Sequence, residues 1–344
     1  MSEDAPLREA IQSVVHGRDL SEDQMSRALG AVMDGHAEAI HIAALLTGLR
    51  VKGETTDEIL GAARAMRSRA TRVEMGEGPL LDTCGTGGDG AGTFNISTAV
   101  AFVCAAAGVS VAKHGNRAIS SSVGSADVLE ALGVRLDLNA EQVRTCIRTV
   151  GIGFMFAPLH HSAMRHAGPV RKALGFRSVL NLLGPLTNPA GASHQLIGIY
   201  DGSRVGQIAQ VLGRLGTRRA LVVHGSDGLD EITIAGPTHG ALWDGQRAQE
   251  ITIEPPALGV ALQDLSGVAG GDAQHNGAMI RAVLGGATGP GADIVRLNAG
   301  AALWVAERAD TLEAGVALAT DVLSSGAALG KLEELASFSA EQGA

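Results

Sequence analysis

The spacing of hydrophobic residues first changes at about residue 73 of this chain. Before that point apolar side chains recur three and four positions apart, as at Leu7 and Ile11, which is the period of an amphipathic helix. Ser21 followed by Gln24 has the spacing of a capping box and predicts the start of a second helix. The pattern therefore predicts that the chain begins with a small all-helical domain.

From residue 78 onward, short apolar runs alternate with glycine-rich turns and further helical segments. Such alternation is typical of an α/β domain with a central, mostly parallel sheet. A first strand is predicted directly before a glycine-rich loop, and the chain should end in a short helix. Further strands are predicted at residues 109–112, 134–138, 151–156, 195–200, 219–224 and 232–235.

Residues 159–191 interrupt the alternation, because they have a helical pattern with prolines near the helix ends. We therefore expect the helical domain to be discontinuous, with residues 1–72 and about 158–190. The α/β domain would comprise residues 73–157 and about 191–344. A cleft should lie where the two domains join, which is a common location for ligands.

The composition excludes several classes of protein. A net charge of −9 with 3% aromatic residues argues against a nucleic-acid partner, which needs a basic face and stacking platforms. The sequence has no apolar run long enough for a membrane helix and no signal pattern, so we expect a cytoplasmic protein that does not contact a membrane. Cys84, Cys104 and Cys146 are too scattered to predict a disulfide framework or a zinc site.

Residues 80–124 concentrate the candidate chemistry. The loop GTGGDG lies between a predicted strand and a predicted helix, where backbone N–H groups and a helix N-terminus can hold an anion. The loop formally matches G-x-G-x-x-G, but the next strand ends in Lys113, where a dinucleotide-binding fold has an acidic residue. No Gly-Lys-Ser/Thr follows the glycines as in a P-loop. Both nucleotide interpretations are therefore disfavoured.

The polar side chains around this loop fall into two groups. For each serine or threonine taken alone, a role as a helix cap explains the residue about as well as a role in ligand binding. Together with the glycines and a lysine, however, the two groups predict two phosphate sites and hence a sugar carrying phosphates at both ends. The first group is Asp89, Thr93, Asn95, Ser97 and Thr98, the second is Ser120, Ser121 and Ser122, and Lys113 supplies a point charge.

Two adjacent carboxylates, Asp230 and Glu231, follow a predicted strand and a turn. Paired acidic residues on a loop are usually only solvated. In a protein that binds a pyrophosphate, Mg²⁺ normally takes one or two carboxylates together with phosphate oxygens and water. The pair therefore predicts a magnesium site, to which Ser97 could add a hydroxyl, whereas Asp227 fits a turn residue.

Several motifs in a fixed order resemble the anthranilate phosphoribosyltransferase family. They are GTGGDG, TFNIST, KHGNR, GSADVLEALG, GFMFAP, NLLGPLTNP and HGSDGLDE, and they extend over nearly the whole chain. The resemblance implies a homodimer with a small helical domain and a larger α/β domain like that of pyrimidine nucleoside phosphorylases. It also implies Mg²⁺-dependent transfer of the phosphoribosyl group of 5-phosphoribosyl 1-pyrophosphate to anthranilate, in tryptophan biosynthesis.

The resemblance further implies roles for individual residues. Those expected to bind phosphoribosyl pyrophosphate are Gly85, Gly88, Asp89, Thr93, Asn95, Ile96, Ser97, Thr98, Lys113, His114, Gly115, Asn116, Arg117, Ala118, Ile119, Ser120, Ser121 and Ser125. Those expected to bind anthranilate are Gly85, His114, Asn116 and Arg171, and the metal ligands would be Ser97, Asp230 and Glu231. Arg171 suits the anthranilate carboxylate, because a guanidinium binds carboxylates bidentately.

The implied reaction needs no general base, because the aromatic amine is neutral before it attacks. Catalysis would depend on positioning and on neutralising the departing pyrophosphate. His114 could orient a substrate or be structural. One departure from the family pattern is Arg177-Ser-Val-Leu-Asn181, where the family commonly has Arg-Thr-aliphatic-Phe-Asn. We expect altered packing near the hinge or the aromatic-substrate channel rather than loss of activity.

Two rival functions share this architecture. A nucleoside phosphorylase would use phosphate and a nucleoside and would not need the acidic pair Asp230-Glu231. A non-enzymatic nucleic-acid-binding relative should have a basic face and lack that pair, unlike this chain with its net charge of −9. A purely structural role would leave the many polar loop residues without a purpose.

Overall fold

The structure, a computed structural model, describes residues 3–118 and 123–342. The chain begins with four helices, in agreement with the predicted all-helical start. Ser21 caps the second one through a capping box, in which its hydroxyl accepts from the Gln24 N–H and its own N–H donates to Gln24 Oε1 at 2.9 Å. The four are α1 (Ala5–Val15), α2 (Glu22–Met33), α3 (Ala39–Lys52) and α4 (Thr56–Arg67).

A seven-stranded sheet forms the centre of the rest of the chain, in the order β3-β2-β1-β4-β5-β6-β7. The first five strands along the chain pair in parallel, and the last two add an antiparallel hairpin at one edge. This confirms the predicted α/β fold with a mostly parallel sheet. The strands are β1 (Leu81–Asp82), β2 (Val111–Gly115), β3 (Ile152–Phe156), β4 (His194–Gly198), β5 (Arg219–Gly225), β6 (Thr238–Trp243) and β7 (Ala248–Ile253).

Within the described residues, eleven further α-helices and four short 3-10 helices connect and cover these strands. Those between β1 and β3 are α5 (Ile96–Ala106), α6 (Ser125–Ala131) and α7 (Ala140–Val150). Those between β3 and β5 are α8 (Ala157–His160), α9 (Gly168–Leu174), α10 (Val179–Leu186) and α11 (Val205–Arg214). After β7 come α12 (Ala273–Leu284), α13 (Pro290–Val305), α14 (Leu312–Ser324) and α15 (Ala327–Glu341).

Two predicted strands, at residues 134–138 and 232–235, are wrong. Both segments bury apolar side chains, but side chains bind their backbone groups instead of a neighbouring strand: Ser339 Oγ accepts from the Arg135 N–H at 3.0 Å and Asn298 Oδ1 from the Ile232 N–H at 2.9 Å. The hairpin of β6 and β7 was not predicted. The prediction that the last helix is short is also wrong. This helix, α15, has 15 residues, and its buried face packs along α5.

The N-terminal helices share one hydrophobic core with α9 and α10 and with the face of the sheet that carries Ile197 and Val222. The other face of the sheet is covered by α5 and α13 in a second, larger core. We call α1–α4 and α8–α10 the helical lobe. Because α9 and α10 pack directly on α3 and α4, we propose the predicted division, with residues 1–72 and about 158–190 in the lobe.

Within the described ranges, 3–118 and 123–342, no single helix is long and apolar enough to span a membrane. Among these residues, only the bent pair α14 and α15, taken together, has the length and the apolar composition of a span.

Candidate active site

A cavity of about 760 Å³ lies at the C-terminal edge of the parallel strands. The loops after β1, β2 and β5 form one wall, and residues of the helical lobe form the other. Because parallel strands all end at the same edge of a sheet, segments far apart in sequence meet here. The cleft predicted between the two parts of the chain is therefore present.

The glycine-rich loop follows β1 and leads into α5, and we call residues 85–92 the glycine loop. Gly88 has φ +81°, a conformation that side-chain-bearing residues rarely adopt. At Gly85 a Cβ would lie 2.9 Å from the carbonyl oxygen of Gly198 in β4, so the loop can approach the sheet only without a side chain there. These glycines allow the backbone itself to line the cavity.

Lys113, the middle residue of β2, contacts residues on either side of the glycine loop. Its side chain is buried, and its Nζ donates to Thr83 Oγ1 and to Ser97 Oγ, each at 3.3 Å. The ammonium is thus held at the N-terminal end of α5, which carries a partial positive charge. A lysine, a serine hydroxyl and a helix N-terminus together favour an anionic ligand at this point.

Three carboxylates gather on the same wall. The Asp230 N–H donates to Asp89 Oδ2 at 3.3 Å, which brings the glycine loop against the loop after β5. Burial raises the pKa of Asp230, and the neighbouring Asp89 carboxylate raises it further. Burial and the adjacent Asp230 likewise raise the pKa of Glu231 well above its usual value, which Lys113 only partly offsets. Both carboxyls are therefore harder to ionise here than in water, and a bound cation would favour their charged forms.

This donor set fits Mg²⁺. Carboxylate and hydroxyl oxygens are the ligands that Mg²⁺ prefers, and a divalent cation would relieve the repulsion between Asp230 and Glu231. Within residues 3–118 and 123–342, no group of three or more His, Cys, Asp or Glu side chains is arranged to hold a metal alone. Two carboxylates and Ser97 form a partial set, as expected for an ion that takes its remaining ligands from phosphate and water.

The wall formed by the helical lobe carries a group of apolar side chains beside polar ones such as Arg165 and Asn181. Met66, Met164, Leu180 and Pro185 line it. Arg171, on α9, lies among them, and burial lowers the pKa of its guanidinium. No carboxylate among the described residues forms an ion pair with Arg171. An apolar wall with one desolvated guanidinium suits a flat, apolar acid.

Two histidines stand between the walls. The rings of His114 and His161 are 5.1 Å apart, and both side chains are buried. Burial lowers the pKa of His114 to about 3 and that of His161 to about 4, so both imidazoles are neutral at physiological pH. His161 was missed by the sequence analysis, although its position just after Ala157-Pro158, where β3 ends, was a usable signal.

Most of the predicted binding residues line this one cavity. The residues brought together are Gly85, Gly88, Asp89, Thr93, Asn95, Ile96, Ser97, Lys113, His114, Gly115, Asn116, Arg117, Ser125, Arg171, Asp230 and Glu231. Asn95 is also held from outside the cavity, since its Oδ1 accepts from Asn276 Nδ2 at 3.1 Å. Asn276, on α12, had not been singled out.

The structure places the remaining predicted residues differently. Thr98 is fully buried in α5 and does not line the cavity. Ala118 is exposed beside the cavity, where its N–H donates to Asp127 at 3.0 Å. The guanidinium of Arg117 is engaged by Asp127 and Glu130, so only the rest of this residue is free to face a ligand. Ile119, Ser120 and Ser121 lie outside the described residues.

The departure from the family pattern lies at the cavity. Leu180 forms part of the apolar wall, as expected of a residue near the aromatic-substrate channel. Ser178 is buried at the start of α10, where its N–H donates to Asn181 Oδ1 at 3.0 Å.

Comparison with known proteins agrees with this geometry. The family described as "Glycosyl transferase family, a/b domain" matches residues 77–329, and "Glycosyl transferase family, helical bundle domain" matches residues 8–70. Anthranilate phosphoribosyltransferase of Desulfatibacillum aliphaticivorans is 51% identical over 335 residues, which cover 97% of this chain and 99% of that protein.

Two solved structures are also similar. The crystal structure of anthranilate phosphoribosyltransferase from Thermus thermophilus is 44% identical with a TM-score of 0.91, covering 96% of this chain and 99% of that one. The enzyme from Saccharomyces cerevisiae in complex with PRPP and Mg is 26% identical with a TM-score of 0.90, covering 98% and 99%.

The fold and the site together define a transferase of activated sugars, with a helical bundle domain joined to an α/β domain. Within that class, the chain belongs to the anthranilate phosphoribosyltransferase family.

Proposed function

We propose that the cavity binds 5-phosphoribosyl 1-pyrophosphate on the glycine-loop wall and anthranilate on the wall formed by the helical lobe. The chain is a Mg²⁺-dependent pentosyltransferase of tryptophan biosynthesis. It gives N-(5-phosphoribosyl)anthranilate and pyrophosphate. The observation that carries the assignment of the two walls is their opposite chemistry around one cavity: carboxylates and amides on one side, apolar groups and Arg171 on the other.

The glycine-loop wall is proposed to hold the sugar substrate. Backbone N–H groups of the loop, the N-terminus of α5 and Lys113 would bind phosphate oxygens. Ser97, Asp230 and Glu231 would hold Mg²⁺, and the cation would favour the charged forms of the two buried carboxyls, whose pKa values are raised without it. When bound, Mg²⁺ would neutralise charge on the departing pyrophosphate.

The opposite wall is proposed to hold anthranilate. Arg171 would bind the carboxylate, and Met66, Met164 and Leu180 would cover the ring. A carboxylate near a desolvated guanidinium is bound more strongly than in water, because the surrounding dielectric is low. His114 and Asn116 would face the amine from the end of β2.

The residues of this chain then act by positioning. The aromatic amine attacks C1 of the ribose, the bond from C1 to the pyrophosphate oxygen breaks, and the amine loses a proton. The neutral imidazoles of His114 and His161 are poor proton acceptors, since the pKa of each lies far below 7. We therefore assign no general base, and the rate would arise from orientation and charge stabilisation.

We also propose a homodimer formed through the helical lobe. Three large apolar side chains on the neighbouring helices α1 and α3 are exposed: Val15 by 60%, Ile40 by 71% and Val51 by 84%. Light scattering on Ile40→Asp should give a monomer where the unchanged chain is a dimer. A cytoplasmic location stays a prediction.

The activity is tested by following anthranilate fluorescence with phosphoribosyl pyrophosphate present. A loss of fluorescence that depends on Mg²⁺ is the expected result. Turnover of uridine with phosphate, and none of anthranilate, would contradict the assignment.

A further inference from the structure

Arg177 connects the helical lobe to the glycine loop. It lies between α9 and α10, and its guanidinium donates a hydrogen bond to the carbonyl oxygen of Gly88. The same guanidinium stacks on the ring of Tyr200, with its Cζ 4.1 Å from the ring centroid. One side chain thus touches the loop and an aromatic platform at the same time.

The other hydrogen bonds to the glycine loop come from the α/β part of the chain. The Thr86 N–H donates to Gly198 O at 2.9 Å, and the Gly270 N–H donates to Gly92 O at 2.7 Å. Asp89 accepts from the Asp230 N–H at 3.3 Å. Among the residues that the structure describes, Arg177 supplies the hydrogen bond from the helical lobe to this loop.

A backbone hydrogen bond holds Tyr200 in position beneath the guanidinium of Arg177. Tyr200 follows β4, and its N–H donates to Thr86 Oγ1 at 3.1 Å, so the residue beneath Arg177 is itself attached to the glycine loop. The ring packs half-buried against the core of the helical lobe. It also lies close enough to Arg171 to interact with it electrostatically, which connects the loop to the anthranilate wall.

The contact with Gly88 matters because this part of the backbone has little stiffness of its own. Gly87 and Gly88 both have positive φ, at 63° and 81°, and glycine takes either sign of φ almost equally well. A peptide here could turn over and direct a carbonyl oxygen, instead of an N–H, toward an anionic ligand. A charged donor on the Gly88 oxygen opposes that rotation.

We propose that Arg177 is a positioning residue for the sugar substrate: it holds the Gly88 carbonyl away from the phosphate site, and Tyr200 holds Arg177. The inference rests on the proposed function of the glycine-loop wall. Arginine suits this role better than lysine, because a planar guanidinium stacks on a ring while donating in its own plane.

The test measures the affinity of the protein for Mg²⁺ with phosphoribosyl pyrophosphate, and separately with inorganic pyrophosphate, by calorimetry. Arg177→Ala should weaken both by about tenfold, the loss expected for one hydrogen bond from a charged donor. The KM for anthranilate should change by less than about twofold, since that wall is not touched directly. Lys172→Ala, which removes an exposed cation of α9, is the matched control and should bind as the unchanged chain does.

Two conservative variants separate positioning from charge and from folding. Arg177→Lys keeps the charge and should recover little affinity, whereas Tyr200→Phe keeps the ring and should bind nearly normally. Tyr200→Leu should weaken binding as Arg177→Ala does, and melting temperatures identify any variant that is merely unfolded. Full recovery by Arg177→Lys, or normal binding by Arg177→Ala, would overturn the inference.

The outcome is also independent of catalysis. If the unchanged chain shows no transferase activity but binds pyrophosphate with Mg²⁺, and Arg177→Ala weakens that binding, the proposed function is wrong and the positioning role stands. If the unchanged chain is active and the affinity of Arg177→Ala equals its own, only the positioning role is wrong.

Discussion

The two walls of the cavity differ in how the chain builds them. The glycine-loop wall comes from loops that directly follow parallel strands, so its parts appear as contiguous motifs such as GTGGDG and KHGNR. The wall of the helical lobe collects single side chains such as Met66, Met164 and Leu180 from separate helices. A polar site made of backbone leaves a local signature in the sequence, and an apolar one made by packing does not.

The two walls also differ in electrostatics, because pKa values are raised on one wall and lowered on the other. Asp230 and Glu231 have raised pKa values, first because both carboxyls are buried and second because of the neighbouring carboxylates of Asp89 and Asp230, respectively. Arg171 has a lowered pKa because it is buried, and the nearby Tyr200 offsets this only in part. Each wall is therefore prepared for a ligand of the opposite sign, a divalent cation on one side and a carboxylate on the other.

The largest expected effect comes from the acidic pair. The double substitution Asp230→Asn with Glu231→Gln keeps the shape of both side chains and removes their charge. Turnover should fall by about a thousandfold or more, because several kcal/mol of charge stabilisation through the metal are lost. Initial rates at saturating Mg²⁺ measure the change.

The same variant has a built-in control for folding. Without Mg²⁺ it should melt at a higher temperature than the unchanged chain, because the repulsion within the buried pair is gone. Asp227→Asn, in the same loop, is the matched variant: Asp227 accepts from Thr233 Oγ1 at 2.6 Å and faces a turn, so activity should persist. Near-normal rates for the double variant would refute the role of the pair.

The next effect concerns the opposite wall. Arg171→Ala should raise the KM for anthranilate by about tenfold to a hundredfold, because a hydrogen-bonded ion pair in a desolvated site is lost. The KM for phosphoribosyl pyrophosphate should change much less. Steady-state kinetics with each substrate varied in turn gives the ranking, and the reverse ranking would contradict the assignment.

A smaller effect tests the histidines between the walls. Burial lowers the pKa of His161 to about 4, while an unfolded histidine titrates near ~6.5. Between these values the unfolded chain binds a proton that the native chain does not, so this residue makes the free energy of unfolding rise with pH up to ~6.5. The stability is progressively lost as pH falls below that value.

Replacing His161 by glutamine should therefore flatten the pH dependence of stability by about 1.4 kcal/mol per pH unit between roughly pH 4 and 6. Denaturant titrations at several pH values measure it. The quantity to compare is the difference in slope between the variant and the unchanged chain. Burial raises the pKa of Asp82 to about 6, so this residue makes the free energy of unfolding fall as pH rises, opposite to His161. An unchanged slope would mean that His161 is not buried as a neutral group.

The smallest expected effect concerns the departure from the family pattern. Leu180→Phe restores the common residue in the apolar wall, where Leu180 is only 4% exposed. We expect a change of a few-fold in the KM for anthranilate, since shape changes in an apolar pocket are worth about 1–3 kcal/mol at most. A complete loss of activity would show that the wall has no room for a larger ring.

The two walls also differ in how many of their residues could be predicted from the sequence. The glycine loop, Lys113 and the Asp230-Glu231 pair could be recognised because each residue type is required locally by an anion or a metal. Asn276 could not be placed, since a helical asparagine has no distinctive local pattern, and His161 had only its position shortly after the end of β3 as a signal. Their roles depend on which helices pack together.

The fold shows the same limit. The helix cap at Ser21 depends only on Gln24, three positions further along the chain, and it was predicted correctly. Residues 134–138 and 232–235 are apolar and buried like strands, but side chains of Ser339 and Asn298, distant in sequence, bind their backbone groups. Apolar spacing reports burial, and it identifies a strand only where a neighbouring strand is available.

The most direct test of two separate walls is calorimetry of each substrate with one variant from each side. Glu231→Gln should lose the binding of phosphoribosyl pyrophosphate with Mg²⁺, whereas Arg171→Ala should bind it within about twofold of the unchanged chain, because the two sites act independently. Equal loss in the two variants would contradict the account, since it would mean that the cavity is one undivided site.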